Sequence, residues 1–530
     1  MTGLIIEGGL YALLLFTPFA FGGVELWAQG ILQIVTGVIV VAWVQDLRGA
    51  GTTGWVPAEA RAGAGAGVPA ASRVLWTAIG LFLILVVLQV VPMPPGWIRS
   101  LSPETYTLYS QTIPGYAQGR PYEPAELPAW VLAGARERMP AAPGAQAPVE
   151  PDLLAPPMAA SGFATEISPW RTLSIYPYGT WSRLSLLLCY VGIFAVVSSY
   201  YRTRERLGRL LGTAAFTGFA VSIFGIIQKL TWNGKLYWIR EGTYLSPFGP
   251  FVNRNSYAAY AGTILPLALC AALGFLRQRE QGRTGALPRL VLWGFASVVM
   301  TCGIFYSLSR GGILSAALSL AIIAGLLLYY GRSARELAVL AILAIAAAAF
   351  LGWIGPEKVI ERVGTLSEGQ SVPSMATRIV TWGKSMDLIA ANPMLGTGLG
   401  TYAFAFMRSS PPGEGWWDTA HNEFLELLCD TGLAGAALFL IGLTAWAAPL
   451  VRARAFRGSS ERFSYMGMVA GIAGLLLHSA ISSNLQIPAN GLLLTVLGAA
   501  LTGLFASLGP RRSRGRNETS SPPPGPEEMP

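Results

Sequence analysis

The sequence predicts an all-α polytopic membrane protein with about twelve transmembrane helices, and two observations carry that prediction. Hydrophobic residues make up 52% of the 530 and charged residues only 12%, whereas soluble domains are nearer a quarter charged. The apolar residues also gather into stretches of about 20, the length that crosses a hydrocarbon core as a helix. Twelve such stretches run over 4–23, 27–45, 74–92, 181–200, 207–228, 255–276, 288–307, 312–330, 336–354, 432–450, 464–483 and 489–508.

Taken in order, residues 1–92 hold the first three stretches. No Lys or Arg precedes Arg48; a secretory signal would open on a basic region, so the first stretch is expected to be a retained helix. Residues 50–72 are rich in Ala, Gly and Pro and predict a flexible linker. Residues 93–180 form a long loop with PMPPGW and PAAPGAQAPVEPDLLAPP, whose middle has too few apolar side chains to build a core. Trp170, Tyr176, Tyr178 and Trp181 suit an interfacial aromatic belt. Residues 181–354 carry the fourth to ninth helices. Residues 355–431 differ in character, with the half-polar segments PEKVIERVGTL, RIVTWGKSMDLIAANP and TYAFAFMRS. Asn392-Pro393 should end one helix there, and Gly396, Gly398 and Gly400 permit a tight turn before the next. This predicts a helical cap on the membrane surface ahead of the tenth helix, and a long structured loop of this kind is usually functional. Residues 432–508 hold the last three helices, and 509–530 are basic, then Ser/Pro-rich, and expected to be disordered.

Orientation follows from the basic residues. With the N-terminus inside, the cytoplasmic connections hold Arg48, Arg61 and Arg73, then Arg202, Arg204, Arg206 and Arg209. Arg277, Arg279, Arg283 and Arg289 follow, then Arg332, Arg335, Arg452, Arg454, Arg457, Arg462 and the Arg511–Arg516 group. Both termini are thus expected in the cytoplasm, with the cap on the outer side of the membrane. The net charge of +9 reflects this bias; no basic helix with interleaved aromatics points to nucleic acid. Cys189, Cys270, Cys302 and Cys429 show no paired spacing and predict buried thiols, not a disulfide frame or zinc site.

Four polar clusters fall at the outer face under this topology. They are 249–256 (GPFVNRNS), with Asn253, Arg254 and Asn255; 307–312 (SLSRGG), with Arg310; the cap run from Arg378 to Tyr402; and 420–426 (AHNEFLE), with His421 and Glu423. Arg254 and Arg310 could be snorkelling anchors, yet arginines at outward helix ends run against the positive-inside bias. The glycine triplet lacks the Lys-Ser/Thr and the strand of a phosphate loop and reads as a turn. His421 is one of two histidines; the other, His478, lies in an apolar helix, as a hydrogen-bonded core residue or as part of the site. Converging arginines suit phosphate or diphosphate oxygens, because the guanidinium fork stays charged and bonds bidentately. A nearby histidine can take a proton from a hydroxyl. With no DxD motif and no carboxylate cluster, no metal and no cofactor are expected, and the set describes metal-independent transfer from a lipid diphosphate.

The motifs GPFVNRNSYAAYAG, SLSRGG, TRIVTWGKSMDLIAANPMLGTGLGTY, AHNEFLELLCDTGLAGA and HSAISSNLQIPANGLLLTVLGA, in this order, resemble the O-antigen ligase/polymerase superfamily over roughly 181–508. The resemblance implies a GT-C-like fold with a periplasmic cap before the tenth helix. It implies an undecaprenyl-diphosphate-linked glycan as donor and an inverting transfer. His421 would be the base, Arg254 and Arg310 the diphosphate contacts, and Arg378 a contact to donor or acceptor sugar. Asn253, Asn255, Glu423 and His478 are further candidate substrate contacts. Lipid A–core as acceptor would make a ligase of lipopolysaccharide synthesis, and a second lipid-linked chain an O-antigen or exopolysaccharide polymerase. A protein hydroxyl is the third choice, and the sequence leaves these open. A twelve-helix transporter is the competing reading: Asp46-Leu47-Arg48-Gly49 faintly echoes a carrier loop, but carriers usually place acids at mid-membrane. Here Glu423, Glu426 and Asp430 stand near the outer boundary instead.

Overall fold

A computed structural model describes residues 1–52, 70–113, 115–119, 168–241, 246–331, 334–354, 375–409, 418–456 and 461–507. Most of the 50–72 linker, the middle of the 93–180 loop, the PEKVIERVGTL segment and the tail lie outside them.

Every one of the twelve apolar stretches is a helix. They are α1 (Thr2–Phe19), α2 (Leu26–Thr52), α3 (Ala70–Val90), α6 (Pro177–Tyr200), α7 (Arg204–Leu230), α8 (Arg254–Glu280), α9 (Ala286–Tyr306), α10 (Arg310–Tyr330), α11 (Ala334–Ile354), α14 (Glu423–Ala447), α15 (Arg462–Ser479) and α16 (Pro488–Ser507). Ten of them, all but α11 and α15, are long and apolar enough to cross a membrane among the described residues. Helix α15 ends at Ser479, short of the expected boundary at 483, and gives way to a polar turn. The first loop also holds structure that composition did not suggest: α4 (Pro95–Leu101) and α5 (Pro103–Thr112). Each opens on a proline, which is pre-set for the first helical position and lacks the N–H that would go unbonded there. Two cap helices, α12 (Met375–Ala391) and α13 (Tyr402–Ser409), complete the order.

Small residues let the central helices approach closely, as they must where packing and not water drives association. On α15, Gly467, Gly471 and Gly474 form a stripe facing α8 and α10. A Cβ at Gly471 would overlap the Thr263 carbonyl, and one at Gly474 the Ser319 hydroxyl. Ser319 uses that nearness to donate to the Ala470 carbonyl at 2.9 Å. Helices α8 and α16 are buried along most of their length, within a core that also takes in α1, α6 and α7. Helix α14 is far more exposed and packs mainly against α3.

The cap sits on one end of this bundle. Leu388, Ile389, Tyr402, Phe406, Ala420 and Cys429 form its own small core. The first loop joins it: Met93 and Arg171 exchange backbone hydrogen bonds at 2.8 and 3.1 Å, Met93, Ile98 and Leu173 pack beside Leu395, and Ser102 donates to the Asn392 side chain at 3.1 Å. The glycine turn locks the cap to α14. Gly432 interrupts that helix with φ +63° and ψ −168°, and residues 393–398 exchange backbone bonds with 429–434 across the interruption. Gly396 also has positive φ, and a Cβ there would enter the Asp430 peptide. The triplet is therefore a docking turn in this fold.

Candidate functional site

Three of the four polar clusters are helix N-caps, and that explains their position. The Asn253 side chain accepts from the Asn255 N–H at 2.8 Å and starts α8. Ser309 accepts from the Gly312 N–H at 3.2 Å and starts α10. Asn422 accepts from Phe424 and Leu425 N–H groups at 3.1 and 3.2 Å and starts α14. Capping satisfies donors that would otherwise be unpaired at the helix end. It also fixes the neighbouring residue: Arg254 and Arg310 each occupy the first helical position, and His421 stands just ahead of the third cap.

The starts of α8 and α10 are tied together, with Ser309 Oγ donating to Asn255 Oδ1 at 2.8 Å. The first turn of α16 joins them and ties in the α15–α16 turn before it, since Asn490 Nδ2 donates to the Ser256 and Asn484 carbonyls, both at 3.2 Å. His478 is almost fully buried, and its ring lies against Gly311, one residue past Arg310. From the cap, Arg378 reaches into the same turn and donates to the Ile481 carbonyl at 2.8 Å. Burial, and then the charge of Arg310, push the Arg378 proton affinity down, though a guanidinium remains charged at any ordinary pH. Its Nε is buried with no hydrogen-bond partner among the described residues, and so is Nδ1 of His478.

His421 lies under the same influence. Its pKa is pushed down to about 4, first by burial and then by the positive charge of Arg378, with Asp418 opposing. The imidazole is thus neutral at neutral pH, with one ring nitrogen unprotonated. Its backbone has φ +52°, a left-handed conformation costly for a residue with a side chain. Thr419 Oγ1 lies 3.4 Å from Nδ1. The structure therefore brings Arg310, Arg378, His421 and His478 into one neighbourhood, with Asn253, Arg254 and Asn255 attached through Ser309. Glu423 is differently engaged: its Oε1 accepts from the Leu485 and Gln486 N–H groups at 2.6 and 3.1 Å.

Sequence reasoning passed over three residues at this end. Arg183 of α6 donates to the Gln486 side chain at 3.0 Å, and as an arginine at an outward helix end it carried the signal that singled out Arg254 and Arg310. Gln89 of α3 is fully buried. It donates to the Leu395 and Asp430 carbonyls at 2.8 and 2.9 Å and accepts from the Leu399 N–H at 3.0 Å. A lone amide near the end of an apolar helix was its only signal. Glu426, read from the sequence only as one of the carboxylates near the outer boundary, is the third, and it is buried. The four cysteines are free thiols, three of them buried.

An all-helical membrane protein with arginines and histidines collected at the capped end of its bundle is the class that fold and site define. Residues 295–440 match the family model described as O-antigen ligase, and the match supports the superfamily resemblance of the motifs. The matched span takes in Arg310, Arg378, His421 and Glu423, and leaves Arg254 and His478 outside. No curated protein matches the chain.

Proposed function

We propose that the protein transfers a glycan from undecaprenyl diphosphate to an acceptor hydroxyl at the periplasmic face of the bacterial inner membrane, without a metal and with inversion. The coarser statement, a membrane protein of O-antigen ligase type, rests on the family match. The observation that carries the finer one is the position of Arg378, within electrostatic reach of both Arg310 and His421. In this mechanism His421 takes the proton of the acceptor hydroxyl as its oxygen attacks the anomeric carbon. The bond from that carbon to the diphosphate breaks, and undecaprenyl diphosphate leaves with the electron pair. Arg310 and Arg254 hold the diphosphate and offset its growing charge, while Arg378 contacts donor or acceptor sugar. A diphosphate is already a good leaving group, so no acid is assigned. Asn253 and Asn255 set the start of α8 beside this centre, and His478 lines it.

The test is turnover by the purified protein in detergent, given an undecaprenyl-diphosphate glycan with and without lipid A–core. Product on lipid A–core makes the protein a ligase, and lengthened lipid-linked glycan makes it a polymerase. A donor that binds but is transferred to neither directs the search to another acceptor. Absence of donor binding would overturn the reading in favour of a transporter.

A further inference from the structure

The strained backbone of His421 is held through its neighbour Ala420 by side chains of α12 and α14. The N–H of the preceding Ala420, itself fully buried, donates to Glu426 Oε1 at 2.7 Å. The Ala420 carbonyl accepts from Trp382 Nε1 at 2.8 Å. A left-handed conformation at a non-glycine residue persists only where its surroundings over-determine it, and these two bonds, with the Asn422 cap behind, are the determinants here.

Glu426 does more than hold Ala420. The same Oε1 accepts from the Ser483 hydroxyl at 2.6 Å, and Oε2 accepts from the Gln486 side-chain amide. Those residues belong to the α15–α16 turn whose Ile481 carbonyl receives Arg378. One buried carboxylate thus joins the arm that carries His421 to the turn that anchors Arg378. We infer that Glu426 is a positioning residue, which sets the distance and aim of His421 relative to Arg378 through Ala420 and the 481–486 turn. It touches no reacting atom. Trp382 acts on the following peptide unit, which joins Ala420 to His421, and shares the role for His421 alone.

The inference rests on the proposed transfer, and the experiment separates the two. Steady-state rates and a pH profile are measured with the undecaprenyl-diphosphate glycan for wild type, Glu426→Gln and Trp382→Phe. No wild-type turnover removes the transfer reading and this inference with it. Given wild-type turnover, Glu426→Gln should lower kcat by about 100-fold, the order that a misplacement of ~1 Å costs. The donor KM should stay within about threefold, because binding made equally in ground and transition states is untouched. The acid limb of the profile should rise as His421 swings from Arg378 toward water. Trp382→Phe should show the same pattern more weakly, and it decides the matter should Glu426→Gln fail to fold. A wild-type acid limb and kcat in Trp382→Phe and in any folded Glu426→Gln would overturn the inference, as would a loss confined to KM.

Discussion

Substituting Arg378 by Gln should move the acid limb of the pH–rate profile upward, and the structure bounds how far. An isolated histidine titrates near 6.5, and His421 is pushed down to about 4. Burial is the larger cause and Arg378 the second, with Asp418 pulling the other way. Only the Arg378 share is lost in the variant. The limb should therefore rise by about one pH unit, the usual scale for removing one close charge, and stop well short of 6.5. The sign follows from the role: a base works only when neutral, so kcat/KM climbs as pH rises through the free-enzyme value and then levels. Arg378→Lys keeps the charge but not the fork that reaches Ile481, so its limb should stay near the wild-type position while its rate falls. The assay is transfer from the lipid-linked glycan between pH 3.5 and 8, read by the shape of the curve and not its height. A wild-type limb near 6.5, or one that Arg378→Gln leaves in place, would refute the electrostatic pairing.

Acidification should also weaken the fold. His421 has a folded-state value below its unfolded one, so the unfolded chain takes up the proton first and stability falls as pH drops from 6.5 to about 4; a His421→Gln protein should lose less melting temperature across that window. His421→Ala should abolish transfer with insertion and yield intact, and retained turnover would remove it as the base. Gly432→Ala asks a side chain to adopt φ +63° and ψ −168° against the Met394 peptide; strain of about 1–3 kcal/mol, with the overlap added, should lower the apparent melting temperature and expose the cap to protease. An unchanged melting curve would show that the glycine turn does not dock the cap. Transfer should survive excess chelator, and a strict need for a divalent cation would remove the arginine account of the diphosphate.

The spans were legible because a helix in a bilayer must be apolar over a fixed length, a property that twenty residues carry by themselves. The starts of α8 and α10 were legible for a related reason: Asn253 and Ser309 are capping types placed just before apolar runs. The start of α14 was not, because Glu423, Glu426 and Asp430 lie in its first turns and the apolar stretch begins only at 432. What composition could not supply was which ends meet. Arg378 and Ile481 lie 103 residues apart, and Gln89 is 306 residues from its partner at Leu395. Neither pairing leaves a mark on the local pattern. The short helices of the first loop were hidden by their own prolines, which read as breakers when counted and as starters when placed at the first turn. Glu426 was hidden differently: one turn into an apolar helix, a glutamate reads as boundary polarity, and only the fold gives it the Ala420 N–H and the Ser483 hydroxyl together. Such a carboxylate is costly to bury unless its acceptor sites are filled, and what fills them here are the two chain segments that must be held in register for His421 to face Arg378. The cost of burial and the need for aim thus meet in one residue, which is why its variants should register in turnover and pH profile before they register in donor binding.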